Sequence, residues 1–339
     1  MVIVGSAAAA PPSTAADARR SLQPVRLAAR LSVVTAVAAI GVGLAVPSVF
    51  GRHQLVVLVV GFLLGLPHGA VDHLVPFWTG WVKRSVITWA VVLLGYVSAA
   101  ALTWAGLYWA GSVVLPVLLV VSVLHFGAGD LMADRDEQVA GFSSMPVMIA
   151  GVLARGGPVV AGPLLFWPDQ AAQALSTLQL DFSMPSPWAR LLLAVVVAGC
   201  VLGSAAVGLR TGNRWSALEV VVLAVVFVVL PPLAAFGIYF GAWHALRHTA
   251  RLVVRDPRNA ADLAVDRLFR PVRRFLASAA LPTLVAAGSA AALVVTAGRH
   301  TDLTGTLFTV LLALTVPHLV VVAALDLTGL RLPQPPSYP

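Results

Sequence analysis

The side chains of this chain that can do chemistry are histidines and aspartates set inside long apolar runs, and they fall into four blocks. The first is Gly65-Leu66-Pro67-His68-Gly69-Ala70-Val71-Asp72-His73 and the second His125-Phe126-Gly127-Ala128-Gly129-Asp130. Trp243-His244-Ala245-Leu246-Arg247-His248 is the third, with Pro317-His318 a weaker fourth. Ionisable groups are expensive in lipid, and where they occur they serve a site, an ion path or a proton relay. His244 and His248 are four residues apart, so on a helix both imidazoles project from one face and reach the same ion. Neutral imidazole suits Fe, Zn, Cu and Ni rather than Mg or Ca. Asp72 and Asp130 follow His68 and His125 by about one helical turn, the position of a carboxylate that orients an imidazole or a bound water, or that ligates itself.

The elements that must carry these blocks are membrane helices. With 59% hydrophobic and 11% charged residues and a mean hydropathy of +0.91, the composition is that of a polytopic membrane protein. The excess of 22 Lys and Arg over 14 Asp and Glu would suggest nucleic acid in a soluble chain, but here the basic residues lie mainly between apolar runs. They are topology signals. The single cysteine, Cys200, excludes a disulfide framework or a thiolate cluster, so a metal must be held by His, Asp or Glu.

Residues 1–26 are Ala-, Pro- and Ser-rich and predict a disordered cytoplasmic tail, 27–326 a single transmembrane helical catalytic domain, and 327–339 a short cytoplasmic tail. By length and hydropathy the spans fall at about 27–47, 54–77, 85–108, 113–131, 144–164, 188–209, 215–235, 237–254, 275–297 and 303–325. Arg155-Gly156-Gly157-Pro158 interrupts the fifth and is expected to shorten or break it. With the N-terminus inside, Arg19, Arg20, Lys83, Arg84, Arg135, Arg210, Arg214 and the dense group from Arg251 to Arg274 lie on the inner side, against Arg52, Arg190 and Arg299 outside. That bias places both termini in the cytoplasm and the chain in the cell inner (plasma) membrane. The expected fold is all-α, about ten transmembrane helices with a metal site inside the bundle. The segment from Phe166 to Trp188, with Trp167, Pro168, Pro185 and Pro187, suits an interfacial stretch that can lie over a site.

Several of these residues have plainer readings. His53 and His300, beside Arg52 and Arg299, read as hydrogen-bonding residues near span ends, and His73 points away from His68. Arg247 is expected to reach the inner surface or to pair with a carboxylate. Phe126, Phe236, Tyr239, Phe240 and Trp243 are packing residues that would also line a tunnel for a long apolar substrate.

The first three blocks resemble the signature segments of the Brp/Blh family of membrane β-carotene 15,15′-dioxygenases, and Pro317-His318 with Asp326 is similar to its C-terminal block. The resemblance implies Fe(2+) held by His68, His125, His244 and His248. It also implies β-carotene and O2 as substrates, cleavage of the central double bond into two molecules of all-trans-retinal, and a rhodopsin as a recipient of that product. A carotenoid dissolves in the lipid bilayer and can enter sideways between helices, and Asp72 or Asp130 can balance the charge of an ion held by neutral ligands. Read without the resemblance, the same histidines suit a membrane metal or proton transporter, or a bis-His haem protein. A retinal-binding pump is excluded in practice, because the only lysine, Lys83, sits beside Arg84 at a membrane boundary.

Overall fold

The structure, a computed structural model, describes residues 22–138, 144–180, 183–296 and 303–329, so most of the N-terminal tail and His300 lie outside it. Among the described residues it is all helical. Seven helices among those residues are long and apolar enough to cross a membrane. The first, α1 (Gln23–Ala45), starts a turn earlier than expected and is followed by α2 (Pro47–Ala70). A 3₁₀ turn (Asp72–Leu74) and α3 (Val75–Trp78) then lead to α4 (Val86–Gln138).

α4 is not one straight rod. A straight helix would separate Tyr96 from His125 by roughly 44 Å. Yet Tyr96 bonds to Asp72, Asp72 to His318, and the His318 ring lies 5.0 Å from that of His125. The chain therefore folds back between them, at Ala110, whose φ of −139° and ψ of 38° leave helical space. This is the boundary that hydropathy places between 108 and 113.

Next come α5 (Met145–Phe166), the short α6 (Pro168–Ser176) and α7 (Pro187–Arg210). After them, α8 (Arg214–Val229) stops at the extended residues Leu230 and Pro231, earlier than the expected 235. The following span begins at Pro232 rather than 237 and is broken into α9 (Pro232–Ile238), a π-helical turn (Tyr239–His244) and α10 (Ala245–Arg255). A short α11 (Ala260–Leu263), α12 (Phe269–Thr296) and α13 (Leu303–Gly329) complete the described chain.

Two glycine seams set how closely the site-bearing helices approach. A Cβ on Gly61 would lie 2.0 Å from the Gly237 carbonyl oxygen, and one on Gly65 would lie 2.1 Å from the Phe240 ring. Only glycine lets α2 settle against α9 and the π turn at that depth, so His68 is carried up to His244. On the other side, a Cβ on Gly127 would lie 2.1 Å from the Val152 oxygen, and one on Gly156 1.9 Å from the Val123 oxygen. Of the two glycines expected to break α5, Gly156 instead packs it against α4 and Gly157 packs it against Val197 of α7. The helix runs through Pro158, and Arg155 stays buried because its guanidinium donates to Asp134 at 2.6 Å and to Ser216 Oγ at 2.9 Å. Neither acceptor is near Arg155 in the sequence, so the local run reads as an interruption.

The main core lies where these seams meet, with Phe62, Phe126, Phe227, Tyr239, Phe240 and Trp243 in one buried cluster. Large apolar side chains such as Val86, Ile87, Leu102, Trp109 and Trp188 face outward and exposed. A surface of that kind is wetted by lipid, with its exposed tryptophans suited to the headgroup level.

Candidate active site

Five histidines converge in the interior: His68 near the end of α2, His125 on α4, His244 closing the π turn, His248 on α10 and His318 on α13, all buried. The ring centroids of His68 lie 4.8, 5.6 and 5.6 Å from those of His318, His244 and His248. His125 lies 5.1 Å from His244 and 5.0 Å from His318, while His248 is 5.3 Å from His318. His244 and His248 stand nearly parallel at 6.3 Å, as two imidazoles one turn apart on a shared face should. His53 is exposed on α2, away from this group, in line with its plainer reading.

The hydrogen bonds fix which ring nitrogens point inward. His318 Nδ1 donates to Asp72 Oδ2 at 2.7 Å, and Asp72 Oδ2 also accepts from the Tyr96 hydroxyl at 3.0 Å. His244 Nδ1 donates to Asp130 Oδ1 at 3.2 Å, and Asp130 Oδ2 accepts from Tyr239 at 3.0 Å. His68 Nδ1 donates to the Gly65 carbonyl. An imidazole that donates through Nδ1 carries its lone pair on Nε2, the form in which it can ligate. His244 Nε2, His248 Nε2, His318 Nε2 and His125 Nδ1 are buried without a hydrogen-bond partner in the protein. Orphaned buried nitrogens are costly, and four of them in one cluster call for a shared partner.

Each aspartate thus holds an imidazole, but not the one nearest in sequence. Asp72 sits in the 3₁₀ turn after α2 has ended, which aims it across to α13 instead of back to His68. Asp130 bonds His244 from the neighbouring helix, where Gly129 leaves room for the His244 ring, 3.1 Å from the position a Cβ would take. Tyr96 and Tyr239, one unassigned and one read as packing, are the outer members of two Tyr–Asp–His chains. The π turn explains the second: its wider pitch stacks residues five apart, bringing Tyr239 over His244, 3.5 Å from Nδ1.

Arg247 pairs with Glu219 at 2.7 Å and covers the Trp243 ring at 4.0 Å, both charges fully buried. Arg251 reaches Asp326 at 2.5 Å, tying α10 to α13 beneath His248 and His318. Among the described residues no group of three or more His, Cys, Asp or Glu side chains stands ready to close on an ion. The spacing still fits one. With metal–nitrogen bonds of about 2.1 Å, two imidazoles sharing an ion keep their centroids roughly 4.6–6.5 Å apart, the range seen here.

A cavity of about 390 Å³ opens onto the cluster. His68, His125, His318 and Asp72 form its polar end, and Phe62, Leu66, Trp89, Leu93, Tyr96, Phe126 and Phe240 supply apolar walls. It is a slot for an apolar molecule with a donor cluster on one wall.

The family profile described as beta-carotene 15,15′-dioxygenase matches residues 58–326, which hold every one of these side chains. The chain belongs to that family. It is 31% identical over 287 residues, 78% of this chain and 81% of the relative, to the probable beta-carotene 15,15′-dioxygenase Blh of Halobacterium salinarum. To the probable beta-carotene 15,15′-dioxygenase Brp of the same species it is 27% identical over 242 residues, 66% of this chain and 65% of the relative. A beta-carotene 15,15′-dioxygenase from uncultured marine bacterium 66A03 is 26% identical over 187 residues, 55% of this chain and 64% of the relative. No solved structure matches the chain significantly. Within the dioxygenase family, the resemblance read from four short blocks therefore extends over most of the sequence.

Proposed function

We propose that this chain cleaves the central 15,15′ double bond of β-carotene with O2, one polyene and one O2 giving two molecules of retinal, on an iron(II) ion held by His68, His125, His244 and His248. His318 joins that set, because Asp72 orients it as Asp130 orients His244 and its Nε2 is left facing the cluster. The observation that carries the reading is the convergence of four unpartnered imidazole nitrogens, on His125, His244, His248 and His318, beside an apolar cavity onto which His68, His125 and His318 open.

Bound there, iron(II) would supply O2 activation. The protein's own part is orientation and exclusion. Asp72 and Asp130 hold imidazole N–H protons and spread two negative charges around a site whose ligands are neutral. The Phe and Leu walls keep water from the reacting double bond and leave the substrate's position to shape, since no charged side chain lines the cavity beyond its histidine and Asp72 end.

Seven long helices, the reversal at Ala110 and the two shorter interior passages, Arg214–Val229 and Pro232–Arg255, support a count of ten spans with both termini cytoplasmic. Phe227 and Tyr239 are twelve positions apart yet their rings lie 5.8 Å from one another, so the chain turns back at Pro231. The haem reading is less well supported, because rings from three other histidines crowd the space beside His244 and His248. A transporter needs a polar path, and the walls here are apolar.

Expression in a carotene-producing host with retinal measured by chromatography tests the function. Accumulation of retinal with matching loss of β-carotene is expected. Unequal fragments, or unchanged carotene with the protein correctly inserted, would contradict it.

A further inference from the structure

A second cavity of about 120 Å³ lies against the first and shares Phe126, Leu311 and Thr315 with it. It runs from that partition toward α6, along Leu115, Leu119 and Ser122 on α4 and Phe308 and Leu312 on α13. Those positions fall at helical spacing on one face of each helix. Along α13 the first cavity takes up the same face at Leu311, Thr315 and His318. The two cavities are thus consecutive stretches of one channel of about 15 Å along each helix, with the histidines beside the junction. No ionisable side chain lines the second stretch. Its far end is covered by Ala174 and Leu175 of α6 and Leu178 of the turn that follows, and the close approach of Thr177, at the end of α6, to Gly305 clamps this cap onto α13.

We propose that this second cavity is the half-site for the distal arm of the polyene. One arm of the substrate fills the larger cavity, the chain passes the histidines at the Phe126–Leu311–Thr315 partition, and the other arm ends under α6. Because the distal stretch is the tighter of the two and is capped, its depth sets which double bond stops at the histidines. The α6 cap is then a specificity-determining element for a reaction whose substrate offers no polar handle.

This rests on the proposed cleavage of β-carotene, and the test separates the two. Leu119→Trp and Leu175→Trp each put an indole into the distal cavity from different helices, and Leu175 is on α6, outside the spanning bundle. Purified enzymes are given β-carotene and a β-apo-carotenal shortened at one end, and kcat/KM is measured for both. A shortened substrate still fits with its short arm distal, so the ratio of its kcat/KM to that of β-carotene should rise about tenfold in each variant. A folding defect, or a cavity that merely conducts O2, lowers both substrates alike and leaves the ratio unmoved. A rise below about threefold in both variants would overturn the half-site. A wild-type enzyme inactive on both substrates would remove the functional reading and this inference with it.

Discussion

Tyr96–Asp72–His318 and Tyr239–Asp130–His244 are the same three side chains in the same order, each ending on a different ring of the histidine cluster. Their surroundings differ. Tyr239 is sealed in the main core between Phe126 and Phe227, and Asp130 uses both oxygens on its two partners. Tyr96 and Asp72 line the large cavity, Asp72 Oδ2 takes both hydrogen bonds, and Oδ1 is buried with none. The core chain has every carboxylate oxygen engaged; the cavity chain orients its histidine with one oxygen and keeps the other without a hydrogen-bond partner.

The contrast can be broken by removing one charge on each side. Asp130→Asn should have the larger effect, because Asp130 makes the closer of the two contacts to His244 Nδ1, 3.2 Å against 3.5 Å from Tyr239, and iron content and turnover should fall together. Asp72→Asn should retain substantial iron but lose turnover by about 10–100-fold, the usual cost of an outer-shell carboxylate. Metal analysis and kcat on the two purified variants check this, and complete loss of iron in Asp72→Asn would make Asp72 a ligand. The tyrosines sharpen the comparison further. Tyr239→Phe strands a buried acceptor and should cost about 1.5–3 kcal/mol of stability with little change in KM. Tyr96→Phe should change stability less and kcat more, which thermal melts in detergent and steady-state kinetics would separate.

How much of this the amino-acid sequence disclosed follows from the range over which each signal acts. Hydropathy marks apolar runs, so the seven long membrane helices among the described residues and the break near Ala110 are legible in it. The spacing of His244 and His248 is local, and the shared face it predicts is present. Asp72 and His318 are 246 positions apart, and spacing along α2 says nothing about which helix the following turn aims at. Arg155 looked like a helix interruption because its partners, Asp134 and Ser216, are supplied by two other helices. The π turn left no periodic trace in a segment that is apolar all round, so Tyr239 read as packing. A single tyrosine set among Val, Leu and Ala, as Tyr96 is, was the one available hint of its hydroxyl's use.

The claim on which the rest depends is that one iron is shared by the clustered imidazoles. Its most direct measurement is iron per chain after anaerobic loading of the purified wild type, His244→Ala, His248→Ala and, as a control at an exposed position, His53→Ala. The account predicts about one iron in wild type and the control, and a large loss in both cluster variants while they still insert and fold. Normal iron content in His244→Ala and His248→Ala, or no iron bound by the folded wild type, would contradict it.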